Sequence, residues 1–374
     1  MFKKALLATA CAAVIATPFA ANAFELKAEA YAVGAPASGR LLLKHNSETI
    51  LQPASLTKMM TLYMLFNALD RGELTMDSEI LVSEKAWRKG GSKMFIEVGK
   101  MVKVEDLIKG IAVSSGNDAC IVVAERLGGT EEAFAQMMTA KAHELGMNDT
   151  NFLNASGWPM EGHVTSAHDM FRLASALIND FPEYYHFFGV RSFTYSGITQ
   201  PNRNGLLRRN VGVDGIKTGH TEESGYHLVA SGERDGERFV SVILGTDSMK
   251  ARESEALKGL SWAWGRYKTY DVTTEGERVT DAEVQYGAKE SVAAVAAETG
   301  KWLLSFDQKQ EMQQEIKLNE TIEAPLKKGD KIGVVVFTTK DLAPKTVDLV
   351  AGEDIAEKDF FAKMLEKAKR SLFN

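Results

Sequence analysis

The sequence predicts a mixed α/β (α+β) domain over residues 24–268, a small all-β domain over residues 269–355 and an amphipathic helix over residues 356–374, behind a leader of residues 1–23. Three observations carry this reading. A chain of 374 residues is longer than one hydrophobic core usually supports. Helical and strand periods mix as far as about Tyr267, and short alternating strands with turn signals replace them beyond Tyr270. From Glu357 onward the period is helical again. A hydrophobic fraction of 45% and a charged fraction of 25% exclude a collagenous or disordered chain, and a net charge of −6 disfavours general nucleic-acid binding.

The leader combines Lys3 and Lys4, an apolar run over residues 5–16 and the small-residue site Ala21-Asn22-Ala23, the pattern of a secretory signal peptide. The run is too short for a membrane span. A lipoprotein signal is rejected because the apolar run continues past Cys11 and Ala8 stands where such signals usually carry leucine. Removing the leader takes away Cys11 together with Lys3 and Lys4, which moves the net charge from −6 to −8. Cys120 then has no disulfide partner in the chain and is expected to be buried as a small hydrophobe.

Residues 41–43 read as a strand, and residues 55–69 as an apolar-rich helix opened by Pro53 and closed before Gly72. Further helices are expected over 118–127, stopped by Gly128-Gly129, and over 131–145, stopped by Gly146. Residues 228–231 and 239–244 read as a hairpin around a charged turn, and 253–267 as a helix. In the β domain the clearest strands are 312–318, 332–337 and 347–349. At the C-terminus Phe360, Phe361, Met364, Leu365, Ala368 and Leu372 share one helical arc, with basic residues outside it. That helix is expected to lie on an anionic membrane surface; the alternative is docking on its own β domain.

Three short motifs carry the chemistry. Ser55-Leu56-Thr57-Lys58 sets a hydroxyl and an amine one helical turn apart, Ser115-Gly116-Asn117 supplies a second hydroxyl and an amide, and Lys217-Thr218-Gly219 follows the expected strand 213–216 with a cation, a hydroxyl and no side chain. Each alone is commonplace, since serines and glycines cap helices. Their order and settings together favour a catalytic over a structural reading.

The set resembles the penicillin-recognising active-site serine enzymes. Ser114 to Ala119, Asn202 to Leu207 and Val213 to Thr221 are more specifically similar to the low-molecular-weight penicillin-binding proteins that are D-alanyl-D-alanine carboxypeptidases. The resemblance implies a transpeptidase/β-lactamase-like catalytic domain that removes the terminal D-alanine from peptidoglycan stem peptides and is inhibited by covalent reaction with β-lactam antibiotics. It implies Ser55 as nucleophile, Lys58 as base, Ser115 as proton carrier to the leaving amine and Asn117 as the residue that orients them. Burial and the nearby charge of Lys217 are expected to lower the Lys58 pKa. Lys217, Thr218 and Gly219 would hold the substrate, with Arg203 and Arg252 as further carboxylate ligands. Backbone N–H groups of Ser55 and His220 would form the oxyanion hole. For each arginine a surface ion pair is the alternative. The glycine-rich segment 90–93 resembles a loop bordering that site, or is a mobile turn.

No metal or cofactor is expected, because the histidines lack ligand spacing. The expected location is the periplasm, on the outer face of the cytoplasmic membrane, held through the C-terminal helix. Rival readings are a β-lactamase, a D,D-endopeptidase and a non-catalytic wall-binding protein. The first is weakened because Thr150 stands four residues before Asn154, where class A enzymes carry the deacylating glutamate.

Overall fold

The computed structural model describes residues 24–373, so the expected leader lies outside the described residues. Five antiparallel strands, β1 (Ala30–Ala35), β2 (Arg40–His45), β3 (Val213–Thr221), β4 (Gly225–Arg234) and β5 (Glu237–Thr246), form a sheet in the order β2-β1-β5-β4-β3. Between β2 and β3 the chain runs through helices α1 (Lys58–Asp70), α2 (Val104–Ala112), α3 (Asn117–Gly128), α4 (Glu131–Glu144) and α5 (Ala167–Asp180). Helix α6 (Met249–Arg266) follows β5. Strand residues buried on both faces explain the continuous apolar runs of β1, β4 and β5. Val33, Phe239 and Ile243 pack with Ala256, Leu260 and Ala263 of α6, whereas Ala32, Val240 and Val242 belong to the core built with α1 and α5.

The hairpin is longer than its apolar stretch. Pairing continues through Glu233 opposite Arg238 and Arg234 opposite Glu237 to a two-residue turn of Asp235 and Gly236, both at positive φ. Such a turn matches the twist of the strands, so charged residues extend the ladder instead of ending it. Helix α6 begins earlier than expected because Ser248 caps it, accepting a hydrogen bond from the Ala251 N–H at 3.1 Å. It ends at Arg266, before Tyr267.

The segment expected to be one helix from residue 55 divides in two. Ala54–Thr57 is a 3₁₀ turn, and α1 starts at Lys58. Ala54 sits at φ +48°, and a loop over residues 154–158 holds the turn from outside. The Asn154 carboxamide shapes that loop, accepting the N–H groups of Ser156, Gly157 and Trp158 at 3.1, 2.7 and 3.0 Å. Below it, the Leu153 N–H donates to His163 Nδ1 at 2.9 Å, so the ring's proton sits on Nε2 and reaches Thr57 Oγ1 at 2.8 Å. Thr57 in turn donates to the Ala54 carbonyl at 2.9 Å. Burial lowers the His163 pKa to about 4, which keeps this relay neutral.

A second core follows. Strands β6 (Tyr267–Asp271) and β9 (Lys301–Ser305) pair, and β7 (Arg278–Glu283), β8 (Ser291–Ala296), β12 (Lys345–Ala351), β11 (Lys331–Thr338) and β10 (Gln313–Leu318) form an antiparallel sheet in that order. Val292, Ile332, Val335, Phe337 and Leu349 fill its buried face. Glu237 of β5 binds the backbone and hydroxyl of Thr269 at 2.6 and 2.9 Å, and Arg40 donates to the Leu303 carbonyl at 2.8 Å, which joins the two bodies.

Helix α7 (Phe360–Phe373) rests on the second sheet through its polar side. Glu366 accepts from the Tyr286 N–H at 3.2 Å and from Lys358 at 2.8 Å, while Arg370 pairs with Glu283 at 2.5 Å. Phe360, Phe361, Met364 and Leu365 of its apolar arc are exposed, Phe360 by 70% and Phe361 by 83%. Of the two readings of this helix, docking on its own β domain is the one these contacts describe. Among the described residues no helix is long and apolar enough to cross a membrane.

Gly157 is the tightest point around the Ser55 turn. It has φ +79°, and a Cβ there would lie 1.8 Å from the Ala54 carbonyl oxygen. Gly157→Ala is expected to lower the unfolding free energy by about 3 kcal/mol through overpacking and backbone strain, measured by urea denaturation.

Candidate active site

The 3₁₀ turn explains how Ser55 and Lys58 meet, since side chains at i and i+3 eclipse in that geometry. Lys58 is fully buried. Its Nζ lies 3.1 Å from Ser55 Oγ, 2.8 Å from Asn117 Oδ1 and 2.5 Å from the Ser156 carbonyl. In the neutral amine, two N–H groups can serve the two carbonyl oxygens while the lone pair faces the Ser55 hydroxyl. Burial lowers the Lys58 pKa to about 8, and the charges of Arg203 and Lys89 push the same way. Lys217 and Lys58, both buried, oppose one another's charge, as expected from the sequence.

Ser115 precedes α3 at φ +57°, and Asn117 is the first residue of that helix. Lys217 arrives from β3, the outer strand of the sheet. Its Nζ donates to Ser115 Oγ at 3.1 Å and to the Thr218 carbonyl at 3.0 Å. Burial, then repulsion from Lys58, holds the Lys217 pKa well below the usual lysine range. Gly219 brings β3 against the Ser55 turn, where a Cβ would lie 3.1 Å from the Pro53 carbonyl oxygen.

Arg252 is buried and donates from Nη1 to the Gly219 carbonyl at 3.1 Å, with Nε unpartnered. The ion-pair alternative for it fails, because Glu253 pairs with Arg209 at 2.5 Å and Glu255 with Lys258 at 2.6 Å. Arg203 is exposed on the wall of the same cleft. His220, also exposed, stacks on Tyr226 at 4.0 Å between ring centroids. Every residue singled out in the sequence thus lines one cleft or touches a residue that does.

Segment 90–96 is tied down over this site. Asn117 donates from its side chain to the Gly90 carbonyl at 2.8 Å and from its backbone to the Ser92 carbonyl at 2.7 Å. The Asp118 carboxylate, fully buried, accepts the N–H groups of Met94 and Phe95, each at 3.0 Å. Of the two readings of the glycine-rich segment, the bordering loop is the one the geometry gives. Gly91 is required there, with φ +79° and a would-be Cβ 2.7 Å from Asn117 Nδ2. Asp118 and Ser156 were not legible as site residues. Asp118 reads as an ordinary acid in the first turn of a helix, and Ser156 acts through its backbone carbonyl, which leaves no side-chain signal. Cys120 is buried as expected, and burial raises its thiol pKa to about 11.

Two cavities open from Ser55. The larger, about 860 Å³, is walled by Ser115, Arg203, Thr218 and Arg252; the smaller, about 420 Å³, by Asn117, Trp158, Glu222 and Glu223. Thr150, four residues before Asn154, is buried and donates to Asp169 at 2.7 Å.

Comparison with known proteins agrees with this geometry. Residues 17–248 match the D-alanyl-D-alanine carboxypeptidase family, peptidase S11, and residues 267–357 match the penicillin-binding protein 5 C-terminal domain. The D-alanyl-D-alanine carboxypeptidase DacD of Escherichia coli (strain K12) is 34% identical over 359 residues, covering 93% of this chain and 92% of that protein. Penicillin binding protein 5 from Haemophilus influenzae is 34% identical with a TM-score of 0.76, covering 90% of this chain and 99% of that structure. Penicillin-binding protein D2 from Listeria monocytogenes, in its ampicillin-bound form, is 31% identical with a TM-score of 0.58 over 64% of this chain and 98% of that one. With its serine, lysine and asparagine in hydrogen-bonded contact and both of its bodies matched, the chain belongs to the D-alanyl-D-alanine carboxypeptidase family of serine peptidases.

Proposed function

We propose that the protein removes the terminal D-alanine from peptidoglycan stem peptides through an acyl-enzyme on Ser55. The observation that carries this reading is the buried Lys58 amine 3.1 Å from Ser55 Oγ, at the point where the two cavities meet. Ser55 Oγ attacks the carbonyl carbon of the penultimate D-alanine while its proton passes to Lys58. The C–N bond then breaks, and the proton held by Lys58 passes by way of Ser115 to the departing amine, which leaves Lys58 neutral again. Water attacks the ester next, its proton passing to Lys58 and from there to Ser55 Oγ as the ester C–O bond breaks, and the shortened peptide leaves with Ser55 and neutral Lys58 restored.

Lys217, Thr218, Arg203 and Arg252 hold the terminal carboxylate. Desolvated cations in a closed wall bind a carboxylate more strongly than exposed ones. Gly219 lets the substrate backbone approach the outer edge of β3, and the N–H groups of Ser55 and His220 face the developing oxyanion. Asn117 holds Lys58 and the substrate amide. Penicillins would acylate Ser55 by the same steps, a reading supported by the ampicillin-bound relative. With threonine at position 150, turnover of that adduct should be slow.

The catalytic body is assigned to residues 24–268 and the β domain to residues 269–355. The exposed phenylalanines of α7 support attachment to a membrane surface on the outer side of the cytoplasmic membrane, after export directed by residues 1–23. The clamp through Glu366 and Arg370 would hold the helix flat against its domain while that arc meets lipid.

Labelled benzylpenicillin should add to Ser55 in the wild type, and Ser55→Ala should abolish the adduct; intact-mass spectrometry with peptide mapping reads both. Release of D-alanine from a pentapeptide, without cleavage of a cross-linked dimer, separates carboxypeptidase from endopeptidase.

Because Lys58 must be neutral to act as base, the acylation rate should rise with pH and level off above about 8. Below that value it should fall about tenfold per pH unit, measured by stopped-flow acylation. Lys58→Arg stays protonated and should be slower by about 10²–10⁴-fold at every pH.

Deleting residues 357–374 should move the protein from the membrane fraction to the soluble one, with activity on a soluble peptide retained. Sedimentation of the truncated protein with membranes would show that the tail is not the attachment.

A further inference from the structure

We propose that His227, buried behind strand β3, is a positioning residue for the reaction, holding the end of β3 so that the His220 N–H meets the developing oxyanion. This rests on the oxyanion role given to that N–H and deepens it. His227 lies outside the three motifs, and it is fully buried. In the ladder between β3 and β4 it stands opposite Gly219, with His220 opposite Tyr226 and Thr221 opposite Gly225. A Cβ on Gly219 would lie 3.3 Å from His227 Cδ2 and 3.1 Å from the Pro53 carbonyl oxygen. The imidazole thus packs against β3 at the residue where that strand closes on the Ser55 turn.

The ring is built into a β-bulge. Between β4 and β5, Tyr226 stands opposite Thr246 and Leu228 opposite Ile243, so β5 carries one residue more than β4 over that stretch, and Gly245 takes φ +70°. The Gly245 N–H donates to His227 Nδ1 at 3.0 Å. That contact leaves the proton of the neutral ring on Nε2, which lies 3.0 Å from Ser224 Oγ. Burial lowers the His227 pKa to about 4, so the ring is neutral near pH 7. Ser224 Oγ in turn lies 2.5 Å from Thr221 Oγ1, which accepts the Ser224 N–H at 3.0 Å.

A line of hydrogen bonds therefore runs from the bulge in β5 through the imidazole to Thr221, the residue after His220 and the last of β3. As the outer strand of the sheet, β3 is paired along one edge only, by β4, and its end needs a second hold. An oxyanion donor acts only when it is aligned with the oxygen of the transition state, so a small displacement there costs rate more than binding. Lys217 and Arg252 lie outside this line, so the hold on the substrate carboxylate changes less.

Substitution separates the two ring nitrogens. His227→Asn keeps an acceptor at the place of Nδ1 and loses the reach to Ser224, whereas His227→Gln reaches the place of Nε2 and loses the acceptor for Gly245. The test measures kcat and KM for D-alanine release from Nα,Nε-diacetyl-L-lysyl-D-alanyl-D-alanine, together with the urea midpoint, on the full-length protein. His227→Asn and Ser224→Ala should each lower kcat by about tenfold, with KM within about twofold and the urea midpoint near that of the wild type. His227→Gln should lower kcat by only about twofold, yet lower the urea midpoint by about 0.5 M. Combining His227→Asn with Ser224→Ala should lose no more than the slower single variant, as expected of two members of one line. Ser224→Ala, in a half-buried turn, keeps the test decisive where His227→Asn does not fold. Unchanged kcat in Ser224→Ala or His227→Asn, losses that multiply in the double variant, or losses that follow the urea midpoint with His227→Gln the slowest each overturn the positioning role. No D-alanine from the wild type overturns the carboxypeptidase reading instead.

Discussion

The site depends on keeping one lysine amine out of water. Lys58 is enclosed beneath Ser55 by the Asn117 amide and the Ser156 carbonyl, and burial is what lowers its pKa to about 8. An exposed lysine would stay protonated at neutral pH and could take no proton from serine. The three groups around Nζ come from the Ser55 turn, the start of α3 and the 154–158 loop, so the helical layer must be assembled before the amine is enclosed. Much of the packing between α1 and α3 has that consequence.

The supporting contacts follow from the same requirement. A partly desolvated cation needs its acceptors fixed, and each acceptor is itself held. Asn117 is braced by the Gly90 and Ser92 carbonyls, and Asp118 beside it ties the next residues of that loop. Ser156 is placed by Asn154, while neutral His163 secures the turn through Thr57. Of these side chains, Asn117 is the one that hydrogen-bonds Lys58. They convert a serine and a lysine three residues apart into an aligned pair.

On the far wall, strand β3 has a different task. As the outer strand of the sheet it offers unpaired backbone to the cleft, and Gly219 allows it to close on the Ser55 turn. Lys217 thereby reaches Ser115 across 102 residues of sequence. The two lysines repel one another, and the hydroxyls and carbonyls around them make that repulsion tolerable.

Much of this was readable beforehand. The motifs at 55–58, 115–117 and 217–219 named groups that the fold brings together, because side-chain chemistry and short spacing are written in the residues themselves. Helix stops at Gly128-Gly129 and Gly146 were equally direct, as was the alternation of the β domain. Other features were not. Residues 55–69 have one apolar pattern, yet the chain divides at Lys58, because Gly157, from a distant segment of the chain, closes on the Ala54 carbonyl and sets the turn. Arg252 among Glu253 and Glu255 leaves a surface ion pair open beside a carboxylate-binding role, and tertiary packing gives those carboxylates to Arg209 and Lys258. The sequence by itself determined which groups could react and the order of the elements that carry them. The tertiary structure alone decided the state of Lys58, the burial of Arg252 and the role of the Ser156 carbonyl, because desolvation and backbone contacts belong to the assembled fold and not to any local run of residues.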